Sequence, residues 1–245
     1  VYALSGDEEY AKWAAGILAA HAKVYYKYQP HGGPAGLGRL CSQSLDEAVM
    51  LLSAATAYDL IHDSPALTGE DRALIEKKFL IPAARHLESY PFGIHNIQVW
   101  QSTAMLSVAL LTGNNKTAAR QQQVLSGEIE KGITPDGFWF ESSIGYHVYS
   151  SRPFAMLAAM CRNRGLDTCG DPKLGKLFGF LTKLTFPDGR TLPSINDYRH
   201  DVRLAEMLPG AIAERYAFDD TSFDPLVTAL LGVLGGWQAY DRSVF

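Results

Sequence analysis

Long apolar runs are missing from this 245-residue chain: no stretch reaches the roughly 18 to 20 residues a helical membrane span needs. Cysteine is scarce, and Cys41, Cys161 and Cys169 fit neither a disulfide scaffold nor a zinc-site spacing. Cys161 and Cys169 flank the polar loop RNRGLDT and either pair in an oxidising compartment or stay as two free thiols. Positive charge is also short. With 22 Lys+Arg against 26 Asp+Glu, the net charge of -4 argues against a general nucleic-acid binder. Nothing at the N-terminus reads as a signal peptide and the first residue is Val1, so a processed or partial chain is expected.

Catalytic signatures are absent as well. There is no HExxH, no G-x-S-x-G, no P-loop and no Rossmann fingerprint, so metal, serine-nucleophile and nucleotide chemistries lose ground. Gly32, Gly33, Gly36 and Gly38 lack the strand and helix such glycine motifs require.

What is there is helix. Apolar residues recur at helical spacing from Asp7 to Tyr28, up to the Gly/Pro-rich stretch QPHGGPAGLG. Ser44 with Glu47 three residues on has the pattern of a capping box opening a second helix. Thr68 and Asp71 open a third, which runs to about Tyr90 and is bent or broken at Pro82. Further helices are expected from Asn96 to the Gly113 stop, over 116–131, 143–163 and 171–186, and at roughly 202–217 and 225–235. Strand signals are nearly absent and no fixed repeat is visible. The chain reads as one all-α domain of antiparallel hairpins over 1–245, an irregular bundle or a curved toroid.

Two stretches crowd chemistry-bearing side chains. His95, Asn96, Gln98 and Trp100 bunch at a helix start, where a cap needs only one of them. Thr134 to Pro153, TPDGFWFESSIGYHVYSSRP, places Glu141 after three aromatics and Tyr146, His147 and Tyr149 at the next helix start. Tyr146 and Tyr149 are one turn apart on a shared face. The bland roles are an Asn cap, a core aromatic pair, a first-turn carboxylate at Glu141 and a turn aspartate at Asp136.

Taken in order, QSLDEAVMLLSAATAYDLIHD, SPALTGEDRALIEKKFLIPAARHL, HNIQVWQSTAMLSVALLTGN and PDGFWFESSIGYHVY resemble the helical domain of the heparinase II/III-like polysaccharide lyases, including alginate and oligoalginate lyases. The likeness covers about Arg39 to Asp197. It implies an incomplete (α/α) toroid and a cofactor-free, metal-independent β-elimination on a uronic-acid polysaccharide or oligosaccharide. Asn96 matches the family's carboxylate-binding Asn, with His95 assisting it or serving as base. The segment E-x-S-x-x-Y-H supplies a Tyr as acid and in some members base: Tyr146 first, Tyr149 one turn along as second choice. Gln43, Arg39, Gln98, Trp100, His147 and Glu141 are expected along the cleft.

The family's helical domain is normally followed by a β-sandwich carrying a further catalytic His. No strand-rich segment follows here, and His200 is the candidate substitute. Ile97 stands where many relatives have Trp. The expected location is periplasmic or secreted. Two other readings are an (α/α)-toroid glycoside hydrolase using Asp136 and Glu141, and a non-catalytic carbohydrate-binding domain.

Overall fold

The computed structural model describes residues 2–33, 36–187 and 191–196. Among the described residues the regular structure is helical, and isolated antiparallel bridges pair His31 with Gly38 and Ile133 with Trp139. The α-helices are α1 Tyr2–Ser5, α2 Glu8–Val24, α3 Ser44–Ile61, α4 Gly69–Ile75, α5 Ile81–Leu87, α6 Asn96–Leu111, α7 Asn115–Gly132, α8 Ile144–Arg164 and α9 Pro172–Leu184. The helices expected beyond residue 200, and His200 itself, lie outside the described residues. No described helix is long and apolar enough to cross a membrane.

Two compact units divide the chain. Among the described residues, the first holds those up to Gly93 and Trp100–Gln122; the second holds Ile94–Val99 and those from Gln123 on.

In the first unit α2 packs on α3 and α4, and α3 packs on α5. Leu18, Tyr25, Leu51, Tyr58, Phe79, Leu80 and Leu87 form its core. The helix start at Thr68 is as the sequence reads, its hydroxyl accepting the Asp71 N–H at 3.1 Å. Pro82 does not break the helix where it stands. A π turn over Glu76–Leu80 lets the Ile81 N–H reach back to the Glu76 carbonyl, absorbing the donor that proline lacks.

Glu47 departs from the capping box. Gln43 takes the cap position of α3, and Glu47, fully buried, turns to the preceding loop. Its Oε2 accepts the N–H groups of Arg39, Leu40 and Cys41 at 3.1, 3.0 and 3.0 Å, and its Oε1 the Tyr25 hydroxyl at 2.9 Å. Three consecutive amides aimed at one oxygen outcompete the single Ser44 amide a box would satisfy. The same loop needs glycine at Gly32, whose φ is +128 and where a Cβ would sit 1.5 Å from the Ser42 carbonyl oxygen.

In the second unit the core is built from Leu125, Ile129, Ile133, Trp139, Ile144, Phe154, Leu157, Leu174 and Leu177. Ser143 caps α8 by accepting the Tyr146 N–H, and Gly165 closes it with a left-handed φ of 62. Cys161 and Cys169 are disulfide-bonded, with Cα atoms 6.2 Å apart and eight residues of separation, which ties the end of α8 to the turn after it. The pairing alternative is therefore the one realised. By loop-closure entropy, Cys161→Ser is expected to lower stability by about 2 to 3 kcal/mol. The measurement is the denaturant midpoint with and without reductant: wild type should shift on reduction, and the variant should not.

Candidate active site

The second unit brings three of the sequence-predicted residues, His95, Asn96 and Glu141, into one hydrogen-bonded cluster at the start of α6. Asn96 is the first residue of that helix, and it does not cap it. His95, just before, does: its ring Nδ1 accepts the Ile97 N–H at 3.2 Å. A nitrogen that accepts carries no hydrogen, so a ring in this pose bears its proton on Nε2. That Nε2–H lies on a partly exposed ring, 3.9 Å from Glu141 Oε1.

The Asn96 side chain is free of capping duty and is only 3% exposed. Its Nδ2 lies 3.0 Å from Glu141 Oε1 and 2.8 Å from Oε2, and its backbone N–H reaches Oε2 at 3.3 Å. The two N–H bonds of an amide diverge widely, whereas the oxygens of one carboxylate sit close together. One N–H is therefore shared between both oxygens and the other points away from Glu141. Among the described residues no acceptor takes it.

Glu141 is itself held. The Trp139 indole N–H donates to Oε2 at 2.5 Å. Trp139 is fully buried, with its ring against Gly132, where a Cβ would come within 2.5 Å of the indole. Next along the chain, Ser142 adopts a φ of +55. That left-handed backbone costs a non-glycine residue about 1 to 2 kcal/mol, and it is held by the Asn196 amide on the Ser142 carbonyl at 2.6 Å. Strain maintained between Glu141 and the cap of α8 fixes where the carboxylate sits. Upstream, Gly137, with φ +106, passes so close to Lys176 that a Cβ would meet its carbonyl oxygen at 2.4 Å.

Tyr146 stands in the first turn of α8 with an exposed side chain, 39% accessible. No described residue hydrogen-bonds its hydroxyl. Tyr149 is half-buried.

His147 is not in a cleft. It is completely buried, its Nδ1 accepts the Trp139 backbone N–H at 3.2 Å, and Phe138 and Phe180 flank it at 5.4 Å each. Burial lowers its pKa to about 4, the Leu177 carbonyl pulling weakly the other way. An imidazole held neutral in an aromatic cage locks the turn that carries Trp139. Gln98 is buried on α6.

Arg39, Gln43 and Trp100 belong to the first unit. Arg39 donates to the Tyr28 carbonyl at 2.7 Å and lies 5.9 Å from the centroid of the Tyr25 ring. Its charge is turned to its own loop. Trp100 is buried, and Gln43 is half-buried at the cap of α3. Asp136 closes its turn with the Thr134 hydroxyl, a hydrogen bond that lowers its carboxyl pKa.

The sequence reading passed over Trp139 and Glu128. Glu128, on α7, is buried and accepts the His95 backbone N–H at 3.2 Å. Its signal was present: Gln121, Leu125, Glu128 and Ile129 lie on one buried helical stripe, and a carboxyl on such a stripe needs a partner. Trp139 had no local signal, because the acceptor of its indole N–H is set by how the turn folds back. Among the described residues no group of three His, Cys, Asp or Glu side chains is arranged to hold a metal ion.

The family model described as Alginate lyase matches residues 1–191. The chain is similar to an alginate lyase of Stenotrophomonas maltophilia (strain K279a), at 31% identity over 178 residues, covering 64% of this chain and 23% of that protein. It is also similar to an exo-oligoalginate lyase of Saccharophagus degradans (strain 2-40 / ATCC 43961 / DSM 17024), at 30% over 173 residues with the same two coverages. The matched segment thus spans about a quarter of each relative's length.

Proposed function

The chain belongs to the alginate lyase family, and on that premise we propose that it is part of a polysaccharide lyase that cuts a uronic-acid chain by β-elimination. The observation that carries the mechanism is the Glu141 clamp. By holding Asn96 and standing beside His95, it leaves one Asn96 amide N–H as a preset donor and sets the His95 ring next to it, with the positive end of the α6 backbone behind them. Two neutral donors suit a uronate carboxylate whose charge grows towards an enolate as the C5 proton leaves. In this reading Glu141 positions those donors and does not itself bind sugar.

The tautomer divides the labour. In this reading His95, whose Nδ1 is taken by the Ile97 N–H, hydrogen-bonds the carboxylate and leaves the C5 proton to another group. Proton transfer then falls to Tyr146, exposed and without a competing acceptor among the described residues. Its phenolate takes the C5 proton, and the phenol so formed returns one to the departing O4. The same donors disfavour the hydrolase reading, since Glu141 already accepts from Asn96 and Trp139, and Asp136 from its own turn. The disulfide supports a periplasmic or extracellular setting.

The test is a panel of uronate polysaccharides, alginate among them, given to the full-length protein and followed by ultraviolet absorbance of the unsaturated uronate end. New absorbance with alginate or its oligomers is expected. Products with saturated ends would replace this reading with hydrolysis.

A further inference from the structure

We infer that Glu128 is a positioning residue of this site, a buried neutral carboxyl that anchors the His95 backbone and keeps a second negative charge away from the carboxylate-binding donors. The inference rests on the lyase reading and deepens it. Glu128 is 1% exposed and makes no ion pair among the described residues. Its one hydrogen bond there is from the His95 N–H. The neighbouring amide, Asn96, gives its N–H to Glu141. Two carboxyl groups thus occupy adjacent amides at one helix start, one partly exposed with several donors, the other sealed with a single donor.

The titratable groups that face Glu128 are Glu141, from the loop before α8, and His95, whose backbone binds it and whose ring is turned to Ile97 and Glu141. No cation faces it among the described residues. One neutral amide does not offset the burial of a charge, and a like charge nearby makes ionisation harder still. Burial raises the Glu128 pKa to about 8, the His95 N–H opposing and the Glu141 charge adding to the rise. Ionisation would place a negative charge behind the donors meant for a uronate carboxylate. It would oppose both substrate binding and the developing enolate.

The sign follows. A carboxyl whose folded pKa is raised contributes stability that is fully present below its unfolded pKa and is lost as pH climbs through about 8. The full chain is compared with Glu128→Gln, which mimics the neutral acid, and Glu128→Ala, which removes the acceptor. Three readouts are followed from about pH 5 to about pH 9: the thermal midpoint, the His95 ring resonances by NMR, and kcat/KM on an alginate oligomer.

Wild type should lose midpoint relative to Glu128→Gln as pH rises. Its His95 resonances should show an inflection near 8 that Glu128→Gln lacks. Its kcat/KM should fall about tenfold one unit above that inflection while Glu128→Gln holds. Glu128→Ala should be slower at every pH, and Glu128→Gln should restore the rate. Coincident midpoint and His95 curves for wild type and Glu128→Gln would overturn the inference. If no variant turns over any uronate, the lyase reading fails by itself, and the midpoint and His95 curves still decide the protonation and coupling of Glu128.

Discussion

Tyr146→Phe is expected to lower kcat on an alginate oligomer by about two to four orders of magnitude, with KM changed far less. The phenylalanine keeps the ring and its packing and removes only the hydroxyl, so a loss of that size reads proton transfer and not folding. Tyr146 meets the requirement because its phenol is exposed at the start of α8 and no described residue competes for the hydroxyl. Tyr149→Phe is the control, with an expected loss below about tenfold. The reverse pattern, a normal Tyr146→Phe and a crippled Tyr149→Phe, would move the acid/base role one helical turn along.

The largest effect on stability is expected at Glu47. Glu47→Ala would leave three adjacent backbone amides and the Tyr25 hydroxyl without their acceptor inside the first unit. A loss of about 3 to 5 kcal/mol is expected, the range for breaking a buried charged network from one side. Glu47→Gln should cost clearly less, since its carbonyl oxygen can still face the amides while the Tyr25 hydroxyl turns to accept. The measurement is the denaturant midpoint of the transition that includes the first unit. Equal losses for Gln and Ala would mean that the charge of Glu47, and not its acceptor geometry, holds the loop. The neighbouring phenol and thiol report on the same site. Burial first, then the Glu47 charge, push the Tyr25 phenol far up and the Cys41 thiol up to about 11.

Much of this was legible before the structure. Apolar spacing located the helices, because a helix exposes its periodicity along a single strand of sequence. Thr68, Asp171 and Ser143 act at helix starts where their side chains accept nearby N–H groups. The bunching of His95, Asn96, Gln98 and Trp100, and of Glu141 with Tyr146, His147 and Tyr149, marked two stretches for attention, and the four family-like stretches indicated the lyase group. Other local readings failed wherever a distant partner outbid the near one. Glu47 left its capping box for three amides of the loop before it. Asn96 gave the cap to His95 because a carboxylate 45 residues away claimed its amide. His147, adjacent in sequence to the exposed Tyr146, faces the opposite way into an aromatic cage.

The sequence by itself therefore determined the helical class, the boundaries of the longer helices among the described residues to within a turn or so, the family, and the residues worth suspecting. Only the tertiary structure decided where each of them points and what it touches. It showed Glu141, a possible sugar contact, clamping Asn96, and set His95 Nδ1 on the Ile97 N–H. It set Glu128 behind the same helix start and buried His147 completely. Helix formation depends on neighbours three and four residues apart, which a sequence displays. The protonation and direction of a catalytic side chain depend on burial and on donors brought from elsewhere in the chain, which it does not.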